Sequence, residues 1–167
     1  MRTTSLPEWS TPSTSKQARV AELFAALFDE DPAVRMQAAD AAEKITRDRP
    51  ELLQPWKEPL LEQIALRPEK GVRWHVAQML PRLRLTTEER DQAIQILMGY
   101  LSDESSIVKT CSMQALADFA IQYPVLQPEI VPLIERLTVS GTPAMRSRGR
   151  MLLKLLTPGV RSSRQPS

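Results

Sequence analysis

Cysteine and histidine are almost absent: Cys111 and His75 are the only ones in the 167 residues. A single cysteine excludes an intrachain disulfide, and one of each leaves no His/Cys set for a zinc site. Nothing in the sequence pairs His75 with a nucleophile, so no catalytic residue, metal ligand or cofactor site is assigned. Five glycines leave little room for phosphate-cradling loops or a series of tight hairpins. Aromatics make up 5% of a chain that is 42% hydrophobic, so Ala and Leu carry the apolar content, which suits helix packing better than a sheet core. No apolar run approaches the roughly 18 residues that cross a bilayer. Met1–Ser15 is rich in Ser, Thr and Pro and has no apolar stretch of signal-peptide length. The expectation is a cytoplasmic protein with no membrane partner. Acidic residues are also missing after Glu135: Arg136, Arg146, Arg148, Arg150, Lys154, Arg161 and Arg164 follow it unopposed, against 15 basic and 20 acidic residues in the remainder.

What is present in quantity is a repeat. An apolar residue followed by a base recurs at Val34-Arg35, Val72-Arg73, Val108-Lys109 and Met145-Arg146, at spacings of 38, 36 and 37. Leu23, Leu60, Leu97 and Leu133 form a second ladder at spacings of 37, 37 and 36. Each period holds two patterns of helical spacing, such as Ile94, Leu97, Met98, Leu101 and then Val108, Ser112, Ala115, Leu116, Phe119. Asp31-Pro32 and Thr142-Pro143 read as an N-cap followed by proline at the first helical position, and Thr86-Thr87-Glu88-Glu89 as a capping box. The 14 prolines are then repeat punctuation, at helix starts or kinking the first helix of a pair. The expected units are 15–49, 50–85, 86–123 and 124–156, with a Ser/Thr/Pro-rich disordered tail over 1–15, a repeat domain over 16–156 and a flexible basic tail over 157–167.

The period, the paired helices and Val34-Arg35 with Ala38-Ala39-Asp40-Ala41-Ala42, or Val108-Lys109 with Gln114-Ala115-Leu116, resemble HEAT repeats over residues 16–156. The resemblance implies an all-α superhelix of about four helix pairs that serves as a non-catalytic scaffold. It also implies an Asp six residues before the base that links adjacent repeats. Asp29 before Arg35 and Asp103 before Lys109 fit, whereas Arg67 and Ser140 stand in that position in the second and fourth units. Arg35, Arg73, Lys109 and Arg146 are expected to pair with carboxylates in the inter-repeat turns.

Function in such a stack is sought where second helices face solvent. A projection at 100° per residue puts Val34, Ala38, Ala41 and Ile45 on the core stripe and Met36, Asp40 and Glu43 opposite, with Trp74, Gln78, Thr110, Gln114, Ala117, Ser147, Met151 and Lys154 in equivalent places. His75 is expected at a surface or half-buried position and Cys111 as a semi-exposed thiol. The candidate partner-binding residues are Met36, Arg73, Trp74, Gln78, Thr110, Gln114, Arg146 and Arg150. The favoured partner is another protein, and the terminal repeats offer a route to oligomerisation. The alternative is nucleic acid at the basic C-terminal repeat, including the activity of HEAT-like DNA glycosylases, for which Trp74 would be the aromatic. The HEAT-like bilin lyases are a third class that no residue of the sequence favours.

Overall fold

A computed structural model describes residues 14–157, with side chains from Gln17 onward. Most of both expected tails lies outside the described residues, while Thr14 and Ser15, assigned to the first tail, open a helix. Among the described residues there are eight α-helices and no strand: α1 (Thr14–Ala26), α2 (Pro32–Asp48), α3 (Lys57–Glu62), α4 (Lys70–Met79), α5 (Thr87–Tyr100), α6 (Ser106–Gln122), α7 (Gln127–Ser140) and α8 (Pro143–Leu156).

The helix starts are set by local chemistry. Asp31 Oδ1 accepts the Ala33 N–H at 2.9 Å and Pro32 takes the first helical position, where its missing donor costs nothing. Thr86 and Glu89 form the reciprocal capping box of α5, at 3.0 and 3.2 Å. Ser105 caps α6, and Thr142, followed by Pro143, caps α8. The prolines act differently in the two units where they align. In α7, Pro132 sits inside one continuous helix. In the second unit, Pro50, Pro55 and Pro59 leave a 3-10 segment (Pro50–Trp56), the short α3 and another 3-10 turn (Ile64–Leu66). That unit is held by other contacts: Trp56 stacks on Phe24 of α1 at 4.9 Å, and the Gln54 side-chain amide both donates to and accepts from the Arg84 backbone at 2.9 and 2.8 Å.

Packing follows the repeat. α2, α4, α6 and α8 lie side by side in one layer, while α1, α5 and α7 each cover their partner from the other layer. The interior repeats are buried most deeply. Leu60 and Leu97 are fully buried and Leu23 and Leu133 half-buried, and Val72 and Val108 are covered where Val34, at the open end, is not. Each inner second helix is enclosed on three sides, by its first helix and by a second helix before and after it. This corrects the projected stripe: Glu43, expected outward, is 2% exposed, His75 is 3% exposed, and Ala117 is fully buried. Val34, Ala41 and Ile45, placed on the core stripe, are only half-buried because no second helix precedes α2 among the described residues.

The turn ladder also differs in its wiring. Arg35 donates to the main-chain carbonyls of Asp29 (2.7 Å) and Glu30 (3.0 Å) and pairs with Glu69 of the next unit. Arg73 donates to the Arg67 carbonyl (2.9 Å) and to Asp103 of the next unit (2.9 Å), and lies over the Tyr100 ring. The acceptor six residues back is therefore a main-chain oxygen, which any residue supplies, so Arg67 in the Asp position breaks nothing. Asp103 holds Arg73 of the preceding unit, where a pairing with Lys109 was expected. The third rung is neutral, Ser106 Oγ to Thr142 Oγ1 at 2.7 Å.

Candidate binding groove

The stacked second helices share an open groove of about 590 Å³. It is lined by Glu43 and Arg47 of α2, Gln78 of α4 with Pro81 and Arg82 just after it, residues of α6 from Cys111 to Gln122, and Arg148 of α8. The repeat register explains the lining. Gln78 and Gln114 are equivalent at a spacing of 36, and Cys111 and Arg148 at a spacing of 37. One helical position therefore contributes a side chain from several helices to the same face.

At the α2–α4 end the groove is tightly bonded. The buried Glu43 carboxylate accepts from Arg82 Nη2 at 2.6 Å and from Arg47 Nη2 at 2.7 Å. Arg82 Nη1 also donates to the Glu43 carbonyl (2.9 Å) and to Thr46 Oγ1 (3.0 Å). Burial alone would push the Glu43 carboxyl up, but the two guanidinium groups outweigh it and hold it below the usual carboxylate range. Nearby, His75 Nε2 lies 3.6 Å from Asp40 Oδ1, and burial lowers the imidazole pKa despite that neighbour.

Toward α8 the bonding is sparser and the groups are half-exposed or exposed. Gln78 Nε2 approaches Cys111 Sγ at 3.9 Å. Gln114 donates to Asp118 (3.0 Å) and accepts from Arg148 Nη1 (3.1 Å). Gln122 donates to the Pro81 carbonyl (3.0 Å), which the proline break after α4 leaves outside the helical ladder. Burial raises the pKa of Asp118 and pushes the Cys111 thiol up. This stretch offers amide donors and acceptors, one carboxylate and one cation, a set that can meet an extended or helical polypeptide. Among the described residues, no group of three or more His, Cys, Asp or Glu could hold a metal ion, and no helix is long and apolar enough to cross a membrane.

Of the eight candidates, the structure brings Gln78 and Gln114 together in the groove. Met36 lies across Gly71 of α4, and Thr110 donates to the Ser106 carbonyl at 2.7 Å. Trp74 is half-buried, packed against the core, with its ring 3.9 Å from that of His75. Arg73 belongs to the turn ladder, Arg146 is exposed in the first turn of α8, and Arg150 stands at the open end of the stack. Sequence reasoning did not single out Arg82 or Asp118, set Glu43 among the outward positions without making it a candidate, and, among the unopposed bases of the C-terminal end, counted Arg148. The 36–37-residue register relating Cys111 to Arg148 was the available signal for the last of these.

A family model described as a HEAT repeat domain matches residues 7–156. No curated protein and no solved structure matches the chain. The family match spans every described helix, and the eight-helix stack with its inter-repeat ladder agrees with it. The chain belongs to the HEAT repeat family.

Proposed function

We propose that the protein is a non-catalytic scaffold that binds a segment of another protein along the second-helix groove. The observation that carries this reading is a groove lined from all four second-helix units, in which half-exposed Gln78, Gln114 and Asp118 present amide and carboxylate groups to solvent. A polypeptide backbone supplies complementary donors and acceptors at similar intervals. Arg47 and Arg82 of the lining are committed to the buried Glu43 carboxylate, which leaves a phosphate backbone little free positive charge along the groove and favours a polypeptide.

The test is site-specific photo-crosslinking. A photoreactive side chain at position 114 should yield a discrete protein adduct in native lysate. The same group at Gln95, exposed on the other layer, should not. Filling the groove with Gln78→Trp should abolish the adduct while leaving thermal stability near that of the parent. An adduct pattern identical at positions 114 and 95, or unchanged by Gln78→Trp, would refute the groove. Arg73→Glu is a poor test, because Arg73 bonds two units together and its loss would perturb folding.

A further inference from the structure

The last repeat departs from the others on the face the groove leads to. The row that reads Asp40, Gln78 and Gln114 in the first three units reads Met151 in the fourth, and the position of Arg82 and Asp118 becomes Leu155. Both are well exposed, Met151 at 56% and Leu155 at 60%. They are neighbours one turn apart on α8. On α6, Ile121 occupies the position that Arg47 occupies on α2, and it is 46% exposed. Ile121 lines the groove, and the repeat register that relates Arg47 to Ile121 relates Arg82 to Leu155, on α8 one turn from Met151. The groove therefore ends in an apolar patch rather than a bonded cluster.

The patch is bordered by positive charge. Arg148 lies beside Leu155 on α8, and Lys154 and Arg150 border Met151 on the other side. Arg150 and Lys154 take the positions where Met113 and Ala117 of α6 are fully buried by the next helix, so they stand exposed at the open end. Among the described ion pairs, none involves Arg148, Arg150 or Lys154. No acidic residue follows Glu135 in the chain.

Building on the scaffold reading above, we infer that this end of the groove is the anchor point for an acidic amphipathic segment of a partner protein. Its apolar side chains seat on Ile121, Met151 and Leu155, and its carboxylates meet Arg148, Arg150 and Lys154. Charge complementarity selects an acidic occupant, and the apolar trio selects one with a hydrophobic face. A nucleic-acid backbone would gain nothing from Met151 and Leu155. An anionic bilayer would gain nothing from the Gln114, Asp118 and Gln122 groups into which the patch continues.

The experiment uses the full chain with methyl-labelled Met and Ile, and a synthetic peptide with Leu at i, i+3, i+4 and i+7 and Glu elsewhere. The Met151 and Ile121 methyl signals should shift on titration, and affinity should fall with added salt. A Lys-for-Glu version and a composition-matched scramble should bind at least about tenfold more weakly. Met151→Gln with Leu155→Gln should weaken the Glu peptide by a similar factor, about tenfold. So should Arg148→Gln with Lys154→Gln, while circular dichroism stays at the parent value. Equal binding of the scrambled or Lys peptide overturns the inference, as does tighter binding to phosphatidylserine vesicles than to the Glu peptide, or an absence of methyl shifts. If the shifts are absent while crosslinking at position 114 still captures a protein, the anchor fails and the groove reading stands. If crosslinking fails as well, both fall.

Discussion

Replacing Glu43 by Gln tests whether the groove's most bonded group also clasps the first two repeats together. The amide keeps the size of the side chain and one acceptor oxygen, so no cavity forms. What changes is that Arg82, with a side chain 18% exposed, loses its counter-charge and keeps two neutral acceptors, the Glu43 carbonyl and Thr46 Oγ1. A charge-assisted bond at a part-buried site is worth about 1.5–3 kcal/mol, and conversion to a neutral bond forfeits most of it, so the expected loss is about 2 kcal/mol. For a chain of this size that lowers Tm by roughly 4–8 °C. Arg47 reaches the same carboxylate from a position 61% exposed, so Arg47→Ala should leave Tm near the parent value. Because a repeat array opens unit by unit, hydrogen exchange should accelerate in α1 and α2 before it does in α6 and α8. A Glu43/Arg82 double-mutant cycle supplies the decisive number. Coupling below about 0.5 kcal/mol, or an Arg47→Ala effect equal to that of Glu43→Gln, would refute the clasp.

Three further outcomes are expected. A Cβ on Gly149 would lie 1.9 Å from Thr138 Oγ1 and 2.9 Å from Thr138 Cβ, whereas one on Gly99 would meet nothing within 4 Å. Gly149→Ala should therefore destabilise by about 1–2 kcal/mol, overpacking of the α7–α8 contact exceeding the helix-propensity gain, while Gly99→Ala should stabilise by about 0.5–1 kcal/mol; thermal denaturation giving both the same sign would contradict this. Glu43 is held below its unfolded pKa of about 4.3, so its contribution is fully present above that pH and is lost as pH falls through the folded value; acid titration of stability should show a shallower limb in Glu43→Gln than in the parent. Burial raises the Cys111 thiol and Arg148 partly offsets it, so iodoacetamide at mildly alkaline pH should modify Cys111 more slowly than free cysteine, and Arg148→Gln should slow it further; a rate equal to that of free cysteine would refute the assignment.

Much of the fold was legible in local chemistry. Asp31-Pro32, Thr142-Pro143 and the Thr86/Glu89 box start helices where the sequence places them, because a cap is a contact between near neighbours. The 36–38-residue ladders reveal the stack for a similar reason, since each unit repeats the same burial problem. The aligned prolines were less legible: Pro132 is absorbed into α7, while the second unit breaks into 3-10 turns as Trp56 packs on Phe24. The candidate site was legible only in part. Gln78 and Gln114 follow from register, but a projection onto one isolated helix placed Glu43 and Ala117 in solvent.

By itself, the sequence determined the helices, their pairing, the number of repeats and the uneven charge, because periodicity, capping and composition act within a unit. Only the tertiary structure decided which second-helix residues reach solvent, because an inner helix is enclosed by neighbours before and after it as well as by its own partner. It also decided that Arg82 closes on Glu43 from 39 residues away, and that Leu155 lies open on α8 beside Met151, which the projection had already faced outward. The covering helix that buries Met113 and Ala117 has no counterpart over α8 among the described residues.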